Sequence, residues 1–263
     1  MTFRTALAAE FAKLASLPSG YVALGLLLLL APGVAVVNTS ALRRALDTGD
    51  TGGLVDLSTI DAGLDGIPVA AVGAIVLGVV VMSSEYTPTR RGAGSGRQIT
   101  ATLTGLPRRV PLLAAKALAL ATVTALASAV AVPVSVVAAQ AVLGGHGHPL
   151  DEVAAEIGGR VVGGVCYLVL TALLAFAVTV LVRNGVVPLI VLIVNGTFVS
   201  LSLLASMVTP LAKYLPDLAG GRMFGAYSPV EDPLGPVAGG LVMAAWTAVL
   251  LAVAAAVFVR RDA

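Results

Sequence analysis

SEYTPTRRGAGSGRQITATLTGLPRRVPLLAAK, residues 84–116, is the one strongly basic stretch of an otherwise apolar chain. It carries Arg90, Arg91, Arg97, Arg108, Arg109 and Lys116, six of the sixteen basic residues, against a single acid, Glu85. Long apolar runs border it on both sides, so it reads as a loop between two membrane spans.

With 58% hydrophobic and 11% charged residues and a mean hydropathy of +0.99 over 263 residues, the chain is too apolar for a soluble domain. Crossing the hydrocarbon core takes about 20 mostly apolar residues. Six runs meet that length: 21–37, 67–83, 112–143, 161–182, 186–208 and 237–259. Isolated strands cannot satisfy their backbone groups in lipid, so the expected fold is an all-α integral membrane protein with six transmembrane helices. The third run is overlong and contains Pro133, which predicts a kink or a break there. The lone Cys166 lies within an apolar run and permits no internal disulfide.

An even number of spans puts both termini on one face. That face then holds eleven of the sixteen basic residues and three of the fourteen acids, Glu10, Glu85 and Asp262. By the positive-inside rule it is cytoplasmic. Residues 84–111 form the cytoplasmic loop proper.

Before the first span, residues 1–17 place Phe3, Leu7, Phe11 and Leu14 on one helical face, the mark of an interfacial amphipathic helix. Glu10 falls inside that arc. It either pairs with Lys13 three residues on, the preferred reading, or reaches a basic group of the 84–116 stretch. A cleaved secretory signal is the alternative for this end. The first apolar run is long, lacks a good small-residue cleavage site and is followed by five more, so the expectation is a retained span.

Residues 38–66, rich in Asp, Gly and Thr, have no calcium-loop spacing and read as a solvated loop. His146 and His148 beside Asp151, Glu152 and Glu156 read as a wet glycine-rich loop rather than a zinc site. Ala70, Ala74 and Gly78, like Gly159 and Gly163, recur every four residues, and such stripes permit close helix contact within a subunit or between two. Asn195, Thr197, Ser200 and Ser202 make the most polar intramembrane patch, suited to interhelical hydrogen bonds or to lining a substrate path. Residues 209–236 suffice for a short re-entrant or interfacial hairpin. No nucleotide-binding, metalloprotease or hydrolase motif is present, and Gly92, Gly94 and Gly96 lack the strand and Lys-Ser/Thr of a phosphate cradle. With Lys116 counted to the loop, the spans are taken as free of ionisable groups, which leaves no relay for ion-coupled transport.

Glu85-Tyr86 at the inner end of the second run, the threonine-rich segment 98–104, Leu106-Pro107-Arg108-Arg109, and Lys116 leading into the third run together resemble the type-2 ABC exporter permeases. Glu10 and Lys13 in an amphipathic start, six spans and the terminal Arg260-Arg261-Asp262 fit the same family. The resemblance implies a permease subunit of a bacterial cell membrane that pairs with a second copy or a homologue and docks two separate ATP-binding chains. ATP and Mg would be bound by those chains, with no cofactor, metal or nucleic acid in this one. It further implies a coupling element comprising Glu85, Arg97, Ile99, Thr102, Leu103, Leu106, Pro107, Arg108 and Arg109. The connecting helix would carry Phe3, Leu7, Glu10, Phe11 and Lys13, and the path would draw on Gly78, Asn195, Thr197, Ser200 and Ser202. Residues 88–96 depart from the family pattern as an insertion between Glu85 and that element. The rival readings are a type-1 importer permease, a secondary transporter or channel, and a membrane enzyme or an immunity or scaffold protein without transport.

The charge asymmetry predicts an orientation. Single cysteines introduced at Asp56 and Asp151 should react with an impermeant maleimide in intact cells, and one at Ser95 should not. Labelling at Ser95 alone reverses the topology.

Overall fold

The computed structural model describes residues 2–52, 57–86, 109–197, 201–228 and 230–260. Arg97, Ile99, Thr102, Leu103, Leu106, Pro107, Arg108 and Ser200 lie outside them, as do the side chains of Arg109 and Thr197. The described residues are helical, with no strand among them. In chain order the helices are α1 (Phe3–Ser16), α2 (Pro18–Thr48), α3 (Ile67–Tyr86), α4 (Arg109–Leu143), α5 (Leu150–Val182), α6 (Val186–Thr197), α7 (Leu201–Ser206), α8 (Pro216–Gly221) and α9 (Pro236–Arg260).

Five of these, α2, α3, α4, α5 and α9, are long and apolar enough to cross a bilayer, which makes this a multi-pass helical membrane protein. The expected span 186–208 includes residues 198–200, which lie outside the described residues. It is described as two shorter helices, α6 and α7, on either side of 198–200. Pro133 does not break α4, which runs through it for 35 residues, roughly 52 Å at 1.5 Å per residue.

At both ends the helices outrun the apolar segments read from the sequence. α2 continues to Thr48 and α5 begins at Leu150, so these helices and the end of α4 project together at the end of the molecule opposite residues 87–108, here called the far end. The expectation of a solvated loop over 38–66 is therefore corrected. Its first part is helix, and Ala62 and Leu64 are buried, with Ala62 packed against Leu42, Ala139 and Leu143. Gly63 allows that approach. It sits at φ +102°, and a Cβ there would meet the backbone of Ser135 and Val136. The polar groups of this layer are also matched: the Gln140 amide donates to the Thr59 carbonyl at 2.9 Å, and the Gln140 carbonyl accepts from the His148 backbone at 2.9 Å. His146 contacts Asp47 at 2.8 Å and His148 contacts Thr59 Oγ1 at 3.0 Å, on a loop whose Gly144, Gly145 and His146 are exposed.

Lipid tails are as apolar as leucine, so helices in a bilayer gain little from hydrophobic burial against one another and depend on close contact. Glycines supply that contact. A Cβ on Gly73 would run into the Leu27 backbone of α2, and one on Gly78 into the Ala172 carbonyl of α5. Gly163 of α5 lies against the Met223 carbonyl, and Gly239 of α9 against the Ala219 carbonyl of α8. Ala70 and Ala74 are fully buried inside the chain. Of the two readings of the alanine and glycine stripe on α3, packing within one subunit describes it; Gly159, by contrast, has open space around it.

These positions differ in expected cost. Gly78→Ala should destabilise the chain by about 1–3 kcal/mol, because α3 and α5 must separate to admit the methyl. Gly159→Ala should be neutral or slightly stabilising, since nothing opposes it and alanine is the better helix former. Unfolding midpoints in detergent check the pair.

Candidate functional site

Two clusters of polar groups stand out, one at each end of α3. The first is at the end that bears residues 87–108. Glu85 occupies the last turn of α3, where the helix's partial negative charge disfavours a carboxylate. Lys116 is two turns into α4. Because helical side chains lean toward their own N-terminus, Lys116 reaches back to the level of Glu85 on the antiparallel neighbour. Its Nζ lies 2.6 Å from Glu85 Oε1 and 2.8 Å from Glu10 Oε2. Lys13 Nζ approaches the same Glu85 oxygen at 2.5 Å. The result is an alternating chain, Glu10–Lys116–Glu85–Lys13, neutral overall.

Its burial is unusual for charges. Glu85 is 1% exposed, Lys116 2% and Glu10 6%. The expectation of spans without ionisable groups thus fails at Lys116, which is inside α4 and fully enclosed. Likewise Glu10 does not form the local pair with Lys13. It takes the other option, reaching a lysine of the 84–116 stretch, while Lys13 goes to Glu85. α1 accordingly has two stripes. Ala6 and Glu10 are buried toward the protein, whereas Phe3 is exposed and Leu7, Phe11 and Leu14 are partly covered. Arg109, whose backbone opens α4, stands within two turns of Lys116.

The second cluster is in the far half. A cavity of about 120 Å³ is bounded by α3, α5, α6, α7, α8 and α9. α6 closes one side by packing Leu189, Leu192 and Ile193 on Ile75, Val79 and Ala175. Asn195 and Ser202 line the cavity, and Gly78 does not, being engaged with Ala172. Asn195 is held at both ends: its carbonyl accepts from Leu201 N at 2.9 Å, and its amide donates to Asp217 Oδ2 at 3.3 Å. Asp217, Tyr167 and Thr171 also face the cavity. The sequence reading missed all three. The Pro-Asp pair at 216–217 starts α8, a signal for a helix inside the segment read only as a hairpin. That segment is well packed: Ala219, Gly220, Gly221 and Phe224 are buried, and the Trp246 indole donates to the Tyr214 carbonyl at 2.8 Å.

Among the described residues no group of His, Cys, Asp and Glu could hold a metal ion. No protein-family model and no curated protein matches this chain.

The first cluster has a distinctive energetic signature. Lys116→Met should cost about 3–5 kcal/mol, because it strands Glu10 as a buried, unpaired carboxylate. Adding Glu10→Gln to Lys116→Met should recover much of that loss, since Glu85 keeps Lys13. Chemical unfolding of the two single variants and the double variant measures the coupling, and strictly additive losses would show that the groups do not interact.

Proposed function

We infer that this chain is the transmembrane permease subunit of an ATP-driven ABC exporter. One observation carries the reading: the two helices from which residues 87–108 emerge are tied to each other and to the amphipathic α1 by the buried ion cluster. A force applied to that segment by a docked partner would act on α1, α3 and α4 together. A loop held only against anionic lipid has no need of such a tie, because each basic residue near the surface contributes about 1 kcal/mol without one.

On this reading the chain forms the path and the ATP-binding chains, two per complex, supply the energy. A second permease copy or a homologue completes the path, in the cytoplasmic membrane of a bacterium. The contact with the ATPase falls on Ile99, Leu103 and Leu106, whose sequence spacings of four and three would give a short helix one apolar ridge ahead of Pro107, and on the neighbouring Arg97, Thr102, Arg108 and Arg109. Glu85, Glu10 and Lys13 position the helices that bear the ridge. Phe3, Leu7 and Phe11 keep α1 at the lipid interface.

Co-purification with an ATP-binding chain tests this. Leu103→Asp should abolish capture of the ATPase while membrane insertion is preserved, and Arg108→Gln with Arg109→Gln should weaken it in a salt-dependent way. A Leu103→Asp variant that binds the ATPase and transports at wild-type levels rules out the segment as the coupling element. A chain that purifies with no ATPase at all favours the channel or immunity-protein readings.

A further inference from the structure

The far-half cavity has a chemistry of its own. Its walls are apolar, formed by Ala71, Val72, Ile75, Leu174, Leu192 and Met243. Among the described lining residues Asp217 is the single charged one. The Asn195 amide, fixed by its bond to Leu201 N, orients the carboxylate through Oδ2. Thr171 and Ser202 add hydroxyls on the same lining, and Ser202 is 7% exposed.

We propose that this cavity binds the protonated head of an aliphatic primary amine, with Asp217 as its counter-ion and the tail directed into the membrane. Three properties of the cavity favour that class. A primary ammonium has three donors and no acceptor, which matches one carboxylate and two hydroxyls. In surroundings of low dielectric the carboxylate favours a cation over a neutral or anionic head far more than it would in water. Size sets the third limit. Drug-sized ligands usually occupy roughly 300–1,000 Å³, so 120 Å³ admits a head of a few heavy atoms and leaves the chain outside. A trimethylammonium head is bulkier and offers no N–H, so choline-type lipids are poor competitors. A second cavity of about 230 Å³ shares Pro68 with the first. Its charged lining is Asp61, Asp65 and Arg160, with Arg160 paired to Asp61 at 2.6 Å.

The chain's one tryptophan provides the readout. Trp246 is one turn from Met243 on α9, and its indole is bonded to Tyr214 just ahead of Asp217. The full chain in phosphatidylcholine nanodiscs is titrated at neutral pH with decylamine, decanol or decanoate while Trp246 emission is followed. Decylamine should give a saturable change that decanol and decanoate do not. Asp217→Asn should weaken decylamine binding at least tenfold and leave the decanol response unchanged. Val72→Phe, which fills the cavity with the carboxylate intact, should cause the same loss and decides the matter if Asp217→Asn does not fold. Equal saturation by decylamine and decanol, or unaltered decylamine binding in Asp217→Asn or Val72→Phe, overturns the assignment. The site belongs to this chain alone: amine binding without ATPase capture would remove the exporter reading only, and ATPase capture without amine binding would remove this one only.

Discussion

Three buried charges and the partly exposed Lys13, set in alternation, are the constraint on which the loop-bearing end of the molecule depends. Each of Glu10, Glu85 and Lys116 would be expensive to bury alone, and the neutral chain they form with Lys13 offsets that expense only while all stay within hydrogen-bonding reach. Apolar packing tolerates sliding by a fraction of a residue; the ion pairs that the buried Lys116 makes at 2.6 and 2.8 Å do not. The cluster therefore sets the register of α3 against α4 and the angle at which α1 meets them. A hydrophobic replacement of similar volume would hold the helices together as well or better, so the gain from charges is one of specificity.

The rest of the bundle is held differently. Between α2, α3 and α5 the contact is backbone against backbone, made possible where Gly73 and Gly78 present no side chain. The same device seats α8 and the turn after it: Gly239 of α9 lies under the Ala219 carbonyl, and Gly163 of α5 under Met223. Shape thus does in the middle and at the far end what charge does at the loop end. A short helix with so little surface of its own, only Pro216–Gly221, is kept in place because its neighbours can come so close.

Helix content and the principal spans were legible in the sequence because hydropathy reports directly on the solvent a segment prefers. The far-end projections of α2 and α5 were not. Arg43, Arg44 and Asp47 look like loop residues, and only tertiary contacts, such as Arg43 with the Val142 carbonyl, show that helix continues through them. Lys116 was misread for a related reason. Counting charges along the chain assigns a lysine near a basic loop to that loop, whereas the lean of its side chain and the partner on α1 are properties of three dimensions. Glu10 shows the same limit: spacing favours Lys13, and folding brings a better partner from 106 residues away. Asp217 escaped notice because a lone acid among prolines and glycines carries no periodicity, and its meaning comes from Asn195 on another helix.

The two polar clusters share α3. Glu85 is at one end of it, and Ala71, Val72 and Ile75 form a wall of the cavity toward the other. Ten residues of helix between Ile75 and Glu85 span roughly 15 Å, and no proline interrupts them. A helix of that kind moves as a rod, so a displacement imposed at the Glu85 end reaches the cavity wall instead of being absorbed on the way. Gly78 lies between the two, against Ala172 of α5, and α5 presents Tyr167 and Thr171 to the same cavity. Sliding of α3 must therefore either carry α5 with it or change the cavity's shape.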